Sequence, residues 1–237
     1  MATPQSKLRP QSHAPASRYT PEEYLRLERE ADERHEYLDG EIFAMAGESW
    51  EHGDVSVNLV AELGRQLKGT ACRARTKDTK VRSGPLPYNS RRPKGLFSYP
   101  DVVVICGEPE YLDDYGDVVT NPAAIFEVLS PATELRDRNL KFQRYDKWNP
   151  TLHDYVLISQ SAPLVEHFQR QTGGSWLYRR YEGLEQCVPL ASIGCTLALS
   201  DLYDRVEFPT EESELEEEVA ADGETLDEDA AAATIAE

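Results

Sequence analysis

The stretch Ser98-Tyr99-Pro100-Asp101-Val102-Val103-Val104-Ile105, read with Ala123-Ala124-Ile125-Phe126-Glu127-Val128-Leu129, decides the fold. Both are short apolar runs rich in β-branched residues, and both read as buried strands. Each carries one carboxylate where an apolar core has no use for it. A buried carboxylate is costly unless it is paired or bound to a metal. Two such acids on neighbouring strands, with basic residues before and after, suggest a metal site that acts on phosphate.

Outward from this pair, local signals lay out the rest. Thr20-Pro21-Glu22-Glu23 predicts a helix start with a capping box, running towards Arg34. Tyr37-Leu38-Asp39-Gly40-Glu41-Ile42-Phe43 predicts a β-hairpin, because Asp-Gly accepts a tight turn. Val55, Leu59, Val60, Leu63 and Leu67 recur at helical spacing, with Gly69 closing the helix. His52 near its start reads as a surface or capping residue. Residues 72–75 and 79–82 predict short basic strands. Residues 84–96, with three prolines, predict a loop, and residues 110–121 an acidic one. A helix is expected over 134–148, with Asp137 and Lys141 on one face and Leu135, Phe142 and Trp148 packing inward. A strand over 154–158, a hairpin from 163–169 and 175–181, and short strands at 188–190 and 197–199 complete the chain. The class is mixed α/β or α+β around a central sheet.

Residues 1–18 and 209–237 differ from the middle. The first segment is rich in Pro, Ser and Gln; the last has twelve acids and no Lys or Arg. Both predict disorder around one folded domain over 19–208. The net charge of −18 argues against a nucleic-acid partner, but the acidic tail carries two-thirds of it. Between Arg65 and Tyr99 stand ten Lys and Arg residues and one acid, Asp78. Arg73, Arg75, Lys77, Lys80 and Arg82 are therefore the candidate contacts to a phosphate backbone. No apolar run reaches membrane-spanning length, so a soluble protein is expected. Cys72, Cys106, Cys187 and Cys195 are scattered, which predicts no disulfide framework and suits a reducing cytoplasm.

Phosphodiester hydrolysis needs charge neutralised on phosphate and a water made nucleophilic, and a divalent ion does both. Mg2+ keeps several waters, so one or two carboxylates hold it. Asp101, Glu127 and the Val128 carbonyl are the candidate ligands. For Asp101 the plain alternative is an end-of-strand cap; for Glu127 it is a buried ion pair.

Pro100-Asp101 followed by Glu127-Val128-Leu129 resembles the PD-(D/E)xK nuclease signature. His35-Glu36-Tyr37-Leu38-Asp39-Gly40-Glu41, Tyr99-Pro100-Asp101-Val102-Val103-Val104 and Phe126-Glu127-Val128-Leu129-Ser130-Pro131-Ala132-Thr133 resemble the Uma2 family of restriction-endonuclease-like proteins. Asp137, Lys141 and Tyr145, then His153-Asp154-Tyr155-Val156-Leu157, extend the resemblance. It implies a four-stranded mixed sheet flanked by helices, Asp101 and Glu127 as Mg2+ or Mn2+ ligands, and Glu36, from the first helix, as a further acidic member. It also implies a double-stranded DNA substrate and a homodimer. One departure matters: the superfamily lysine falls at Leu129, which carries no charge. Lys141 is the first candidate to replace it and Lys80 the second; the plain role of Lys141 is pairing with Asp137 on a solvated face.

Three readings follow. The first is a metal-dependent DNA endonuclease using Glu36, Asp101, Glu127 and Lys141. The second is an inactive nuclease-fold DNA-binding module. The third is an interaction role for the acidic tail, which would shield the basic face or dock a basic partner; its plain role is to aid solubility.

Overall fold

The computed structural model describes residues 18–45, 47–86 and 94–208. Both expected tails lie essentially outside these residues, as do Arg91 and Arg92 of the basic stretch.

Two sheets carry the architecture. The larger has six strands in the order β11-β10-β9-β8-β6-β3: β3 (Cys72–Thr76), β6 (Val102–Cys106), β8 (Ala124–Leu129), β9 (Asp154–Ser159), β10 (Leu164–Arg170) and β11 (Trp176–Glu182). Only β8 and β9 are parallel to each other. The second has five strands, β2-β1-β5-β4-β7: β1 (His35–Leu38), β2 (Glu41–Ala44), β4 (Lys80–Ser83), β5 (Leu96–Ser98) and β7 (Val118–Val119). A small ribbon joins β12 (Cys187–Leu190) to β13 (Cys195–Ala198). This is a mixed α/β fold, with the expected antiparallel hairpin as β10–β11. The four-stranded core expected from resemblance is enlarged to six, with a second sheet beside it.

Alternation sorts the core into layers. Val102, Val104, Phe126 and Val128 face α2 (Trp50–Gln66), which lays Val55, Leu59 and Leu63 on them. Val103, Ile105, Ile125 and Leu129 face the other way. There they meet Leu38, Val81 and Leu96 of the five-stranded sheet, and Tyr145 of α3 (Phe142–Trp148). The far side of the smaller sheet packs Tyr37 and Phe97 on Tyr24 of α1 (Pro21–Glu30). Burying a large apolar side chain contributes about 1.5–3 kcal/mol.

Several boundaries differ from expectation. The 98–105 run is two strands in different sheets. Pro100 has no N–H to give a ladder, and Asp101 bends the chain, so β5 ends before them and β6 starts after. Leu96 joins β5, and the acidic loop contains β7, buried and parallel to β4. α1 stops at Glu30, which places Glu36 on β1 and not on the helix. The 134–148 helix begins as a π-helical turn, Arg136–Lys141, running directly into α3. The wider turn shifts the helical phase, and Leu135 is 78% exposed where inward packing was expected. Cys72 and Cys106 are register partners on β3 and β6 and form a disulfide. That corrects the expectation of unpaired cysteines and removes its support for a reducing compartment. No helix among the described residues is long and apolar enough to cross a membrane.

Candidate active site

The site lies at the end of β6 and β8, between the two sheets. Glu127 shares the inner face of β8 with Ile125 and Leu129, and is 3% exposed. Glu36 shares a face of β1 with Leu38 and so points into the same gap. Lys141 closes the π-helical turn and reaches both. Its Nζ lies 2.9 Å from Glu36 Oε1, 3.3 Å from Glu127 Oε1 and 2.9 Å from Asp137 Oδ1. The Asp137–Lys141 pair is thus present but buried, not on a solvated face.

Hydroxyls and amides complete the cluster. Tyr145 Oη donates to Glu127 Oε1 at 3.3 Å and lies 2.7 Å from Ser98 Oγ. The Tyr99 N–H donates to Glu36 Oε1 at 3.2 Å, and Arg136 lies 3.9 Å from Glu36 Oε2.

Asp101 occupies the rim. Its Oδ2 accepts the Val128 N–H at 2.7 Å, standing in for the ladder where β6 has not yet begun. Its Oδ1 is 2.9 Å from His52 Nε2. The N–H and C=O of one strand residue point to the same side. The Val128 carbonyl therefore faces the Asp101 edge. Asp101 and Glu127 are neighbours through the Val128 backbone, one on the edge and one on the inner face. Asp101 also lines a groove of about 700 Å³ that runs along α2 past Trp50, Val57 and Lys77.

The electrostatics follow from burial and charge count. Burial pushes the Glu127 carboxyl well above its ordinary value; Lys141 opposes this, while Asp137, Asp101 and Glu36 reinforce it. Burial works against the charged form of Lys141, but Glu127, Glu36 and Asp137 outweigh it and hold its pKa well above normal. His52 is likewise raised, burial being overcome by its bond to Asp101. Three carboxylates thus surround one buried ammonium, with Asp101 a fourth on the rim.

That excess of negative oxygen ligands suits a hard divalent cation, which would neutralise it. Both contacts to Glu127 fall on Oε1, and each oxygen of Asp101 takes one. A carboxylate offers about four acceptor positions, so each retains some. Among the described residues no three His, Cys, Asp or Glu side chains form a ready-made cage.

The other candidates separate. Lys80 sits beside Val81, which takes the inner face, so Lys80 points to the α1 side. There it is buried, 3.6 Å from Asp117 and over the Tyr24 and Tyr99 rings. Arg82 is buried as well, bonding Gly84 and Pro85 carbonyls. Neither offers a surface contact to DNA. Arg73 and Arg75 are exposed and Lys77 half-buried, paired with Glu48 at 2.7 Å. His52 is the residue sequence reasoning passed over. The stripe Val55-Leu59-Leu63, extended one step backwards, lands on it. For Asp137 the sequence offers a helix-face pairing with Lys141 and a part in the Uma2 resemblance, but no place in the site.

The chain matches the family model for Uma2, described as "putative restriction endonuclease", over residues 21–200. The chain belongs to the Uma2 family. Two Synechocystis relatives agree in extent. The uncharacterized protein slr1290 is 34% identical over 195 residues, 82% of this chain and 96% of its own length. The uncharacterized protein sll1609 is 34% identical over 164 residues, 69% and 88% respectively. The fold resembles the crystal structure of a "putative nuclease" of the DUF820 group from Anabaena variabilis. That likeness has a TM-score of 0.63 at 18% identity and covers 80% of this chain and 99% of the other. The Uma2 chain described here is thus restriction-endonuclease-like in family and fold.

Proposed function

We propose that this Uma2 chain is a metal-dependent endonuclease that hydrolyses DNA phosphodiester bonds. The observation that carries the reading is the buried contact of Lys141 with Glu127 and Glu36 beside Asp101. That ammonium supports a cation taking over from the pattern lysine, which falls at Leu129.

Asp101, Glu127 and the Val128 carbonyl would hold Mg2+ or Mn2+. Such an ion, when bound, lowers the pKa of water and draws charge from phosphate. The chain's own groups supply the rest. Lys141, kept protonated by its three carboxylates, places a positive charge at the centre where negative charge develops on the phosphate oxygens. Glu36, fixed by the Tyr99 N–H, holds that ammonium in place. Tyr145 and Ser98 orient the Glu127 carboxylate. Arg73, Arg75 and Lys77 grip the backbone of the double-stranded substrate from the open edge at β3. We further propose a homodimer, since two strands need two centres, with residues 209–237 shielding the basic edge.

The test is cleavage of plasmid DNA with Mg2+ or Mn2+. Wild type should nick or cut, and Asp101→Ala and Glu127→Ala should abolish it. Equal cleavage by all three would dispose of the assignment. A second reading, a non-cleaving DNA-binding module, is favoured by Leu129 and by the absence of a three-ligand cage among the described residues. Salt-sensitive binding without cleavage under either metal would select it.

A further inference from the structure

We infer that His52 is a positioning residue that fixes the Asp101 carboxylate for a divalent cation. This rests on the metal-dependent reading above and assigns a role to a residue outside the PD-(D/E)xK pattern.

A carboxylate only accepts hydrogen bonds, so the His52 nitrogen 2.9 Å from Asp101 Oδ1 carries the proton. The Val128 N–H holds the other oxygen at 2.7 Å. Two donors from two elements, α2 and β8, fix the carboxylate's orientation. They leave about two of its four acceptor positions for an ion. Asp101 needs such holding because it lies in a bend ahead of β6, after a proline, outside the strand ladder.

The ring is not required to cap α2. Ser49 does that, its hydroxyl accepting the backbone N–H of His52. Nor is the ring committed to Glu48. That carboxylate is 3.9 Å from Nε2 and is taken by Lys77 at 2.7 Å. The helix behind the ring is anchored by Val55, Leu59 and Leu63 against the strands that carry Asp101 and Glu127.

The test is Mn2+ affinity of the full chain, measured by the loss of the free-ion electron paramagnetic resonance signal, with melting temperature beside it. Loss of a ligand's hydrogen-bonding partner typically costs about 10–100-fold in metal affinity. His52→Ala should weaken Mn2+ binding by that factor. His52→Gln, whose amide N–H can reach the same oxygen, should recover most of it. Unchanged affinity in His52→Ala, with wild type binding and Asp101→Asn not binding, overturns the inference alone. Equal weakening in both His52 variants with equally lowered melting temperatures also overturns it, as a merely structural role. Wild-type binding that Asp101→Asn does not alter overturns the metal reading and the inference with it.

Discussion

Replacing Lys141 by Met puts the buried cluster to a quantitative test. The side chain keeps its volume and loses its charge, leaving Glu36, Glu127 and Asp137 without an ammonium at 2.9, 3.3 and 2.9 Å. Breaking a buried ion pair by removing one partner costs about 3–5 kcal/mol. The loss should depend on pH. Glu127 already titrates well above its ordinary 4.5 because of burial, and Lys141 is the charge that restrains the shift. Without Lys141 the shift grows. A carboxyl whose folded pKa exceeds its unfolded one binds protons more tightly when folded. Its favourable contribution is therefore fully present below about pH 4.5 and is lost as pH rises through the folded value. Lys141→Met should be least destabilised near pH 5 and most near pH 8. Urea unfolding at several pH values, without metal, gives the difference directly. Adding Glu127→Gln should return about 0.5–3 kcal/mol, the usual coupling of residues in contact. A Lys141→Met protein within about 0.5 kcal/mol of wild type at pH 8, or equally destabilised at pH 5 and 8, would refute the reasoning.

Other consequences concern the surface and the disulfide. Arg73→Ala and Arg75→Ala should each weaken DNA binding regardless of sequence. Each should also reduce the log–log salt slope by about 0.9, whereas Lys80→Met should leave the slope unchanged because Lys80 is buried. Binding isotherms at four salt concentrations check both. Removing residues 209–237 should tighten DNA affinity at low salt and have little effect at high salt; equal affinity at low salt would exclude shielding. Cys72→Ser should lower unfolding free energy by about 2–4 kcal/mol, as expected for opening a loop with a sequence separation of 34. Denaturant midpoints with and without reductant measure that loss.

Much of this fold was legible from local chemistry. Thr20, Pro21 and Glu23 form the capping box their spacing announces. Asp39 and Gly40 take φ values of 50° and 98°, the double positive turn that Asp-Gly favours in a hairpin. Glu36 and Glu127 meet as the resemblance implies, Lys141 joins them from the helix that directly follows the Glu127 strand, and strand alternation alone could have chosen between the lysines. Val81 is the apolar member of its strand, so Lys80 had to face away from it. What stayed hidden depends on contacts between distant segments. Pro100 divides one apolar run between two sheets, and only the sheets show that. The π-helical turn at Arg136–Lys141 has no signature in local propensity. The Cys72–Cys106 pairing follows from a strand register fixed across 34 positions.

On the proposed function, Lys141 does the work the pattern assigns to position 129. Leu129 and Glu127 share one face of β8, so a lysine at 129 would enter the same cluster. The most direct measurement is the DNA cleavage rate at saturating Mn2+ for Lys141→Met and for Leu129→Lys combined with Lys141→Met, with folding verified for both. The single variant should lose at least about 100-fold, in line with removal of one group that stabilises transition-state charge, and the relocated lysine should recover measurable cleavage. Wild-type cleavage by a folded Lys141→Met protein would contradict it.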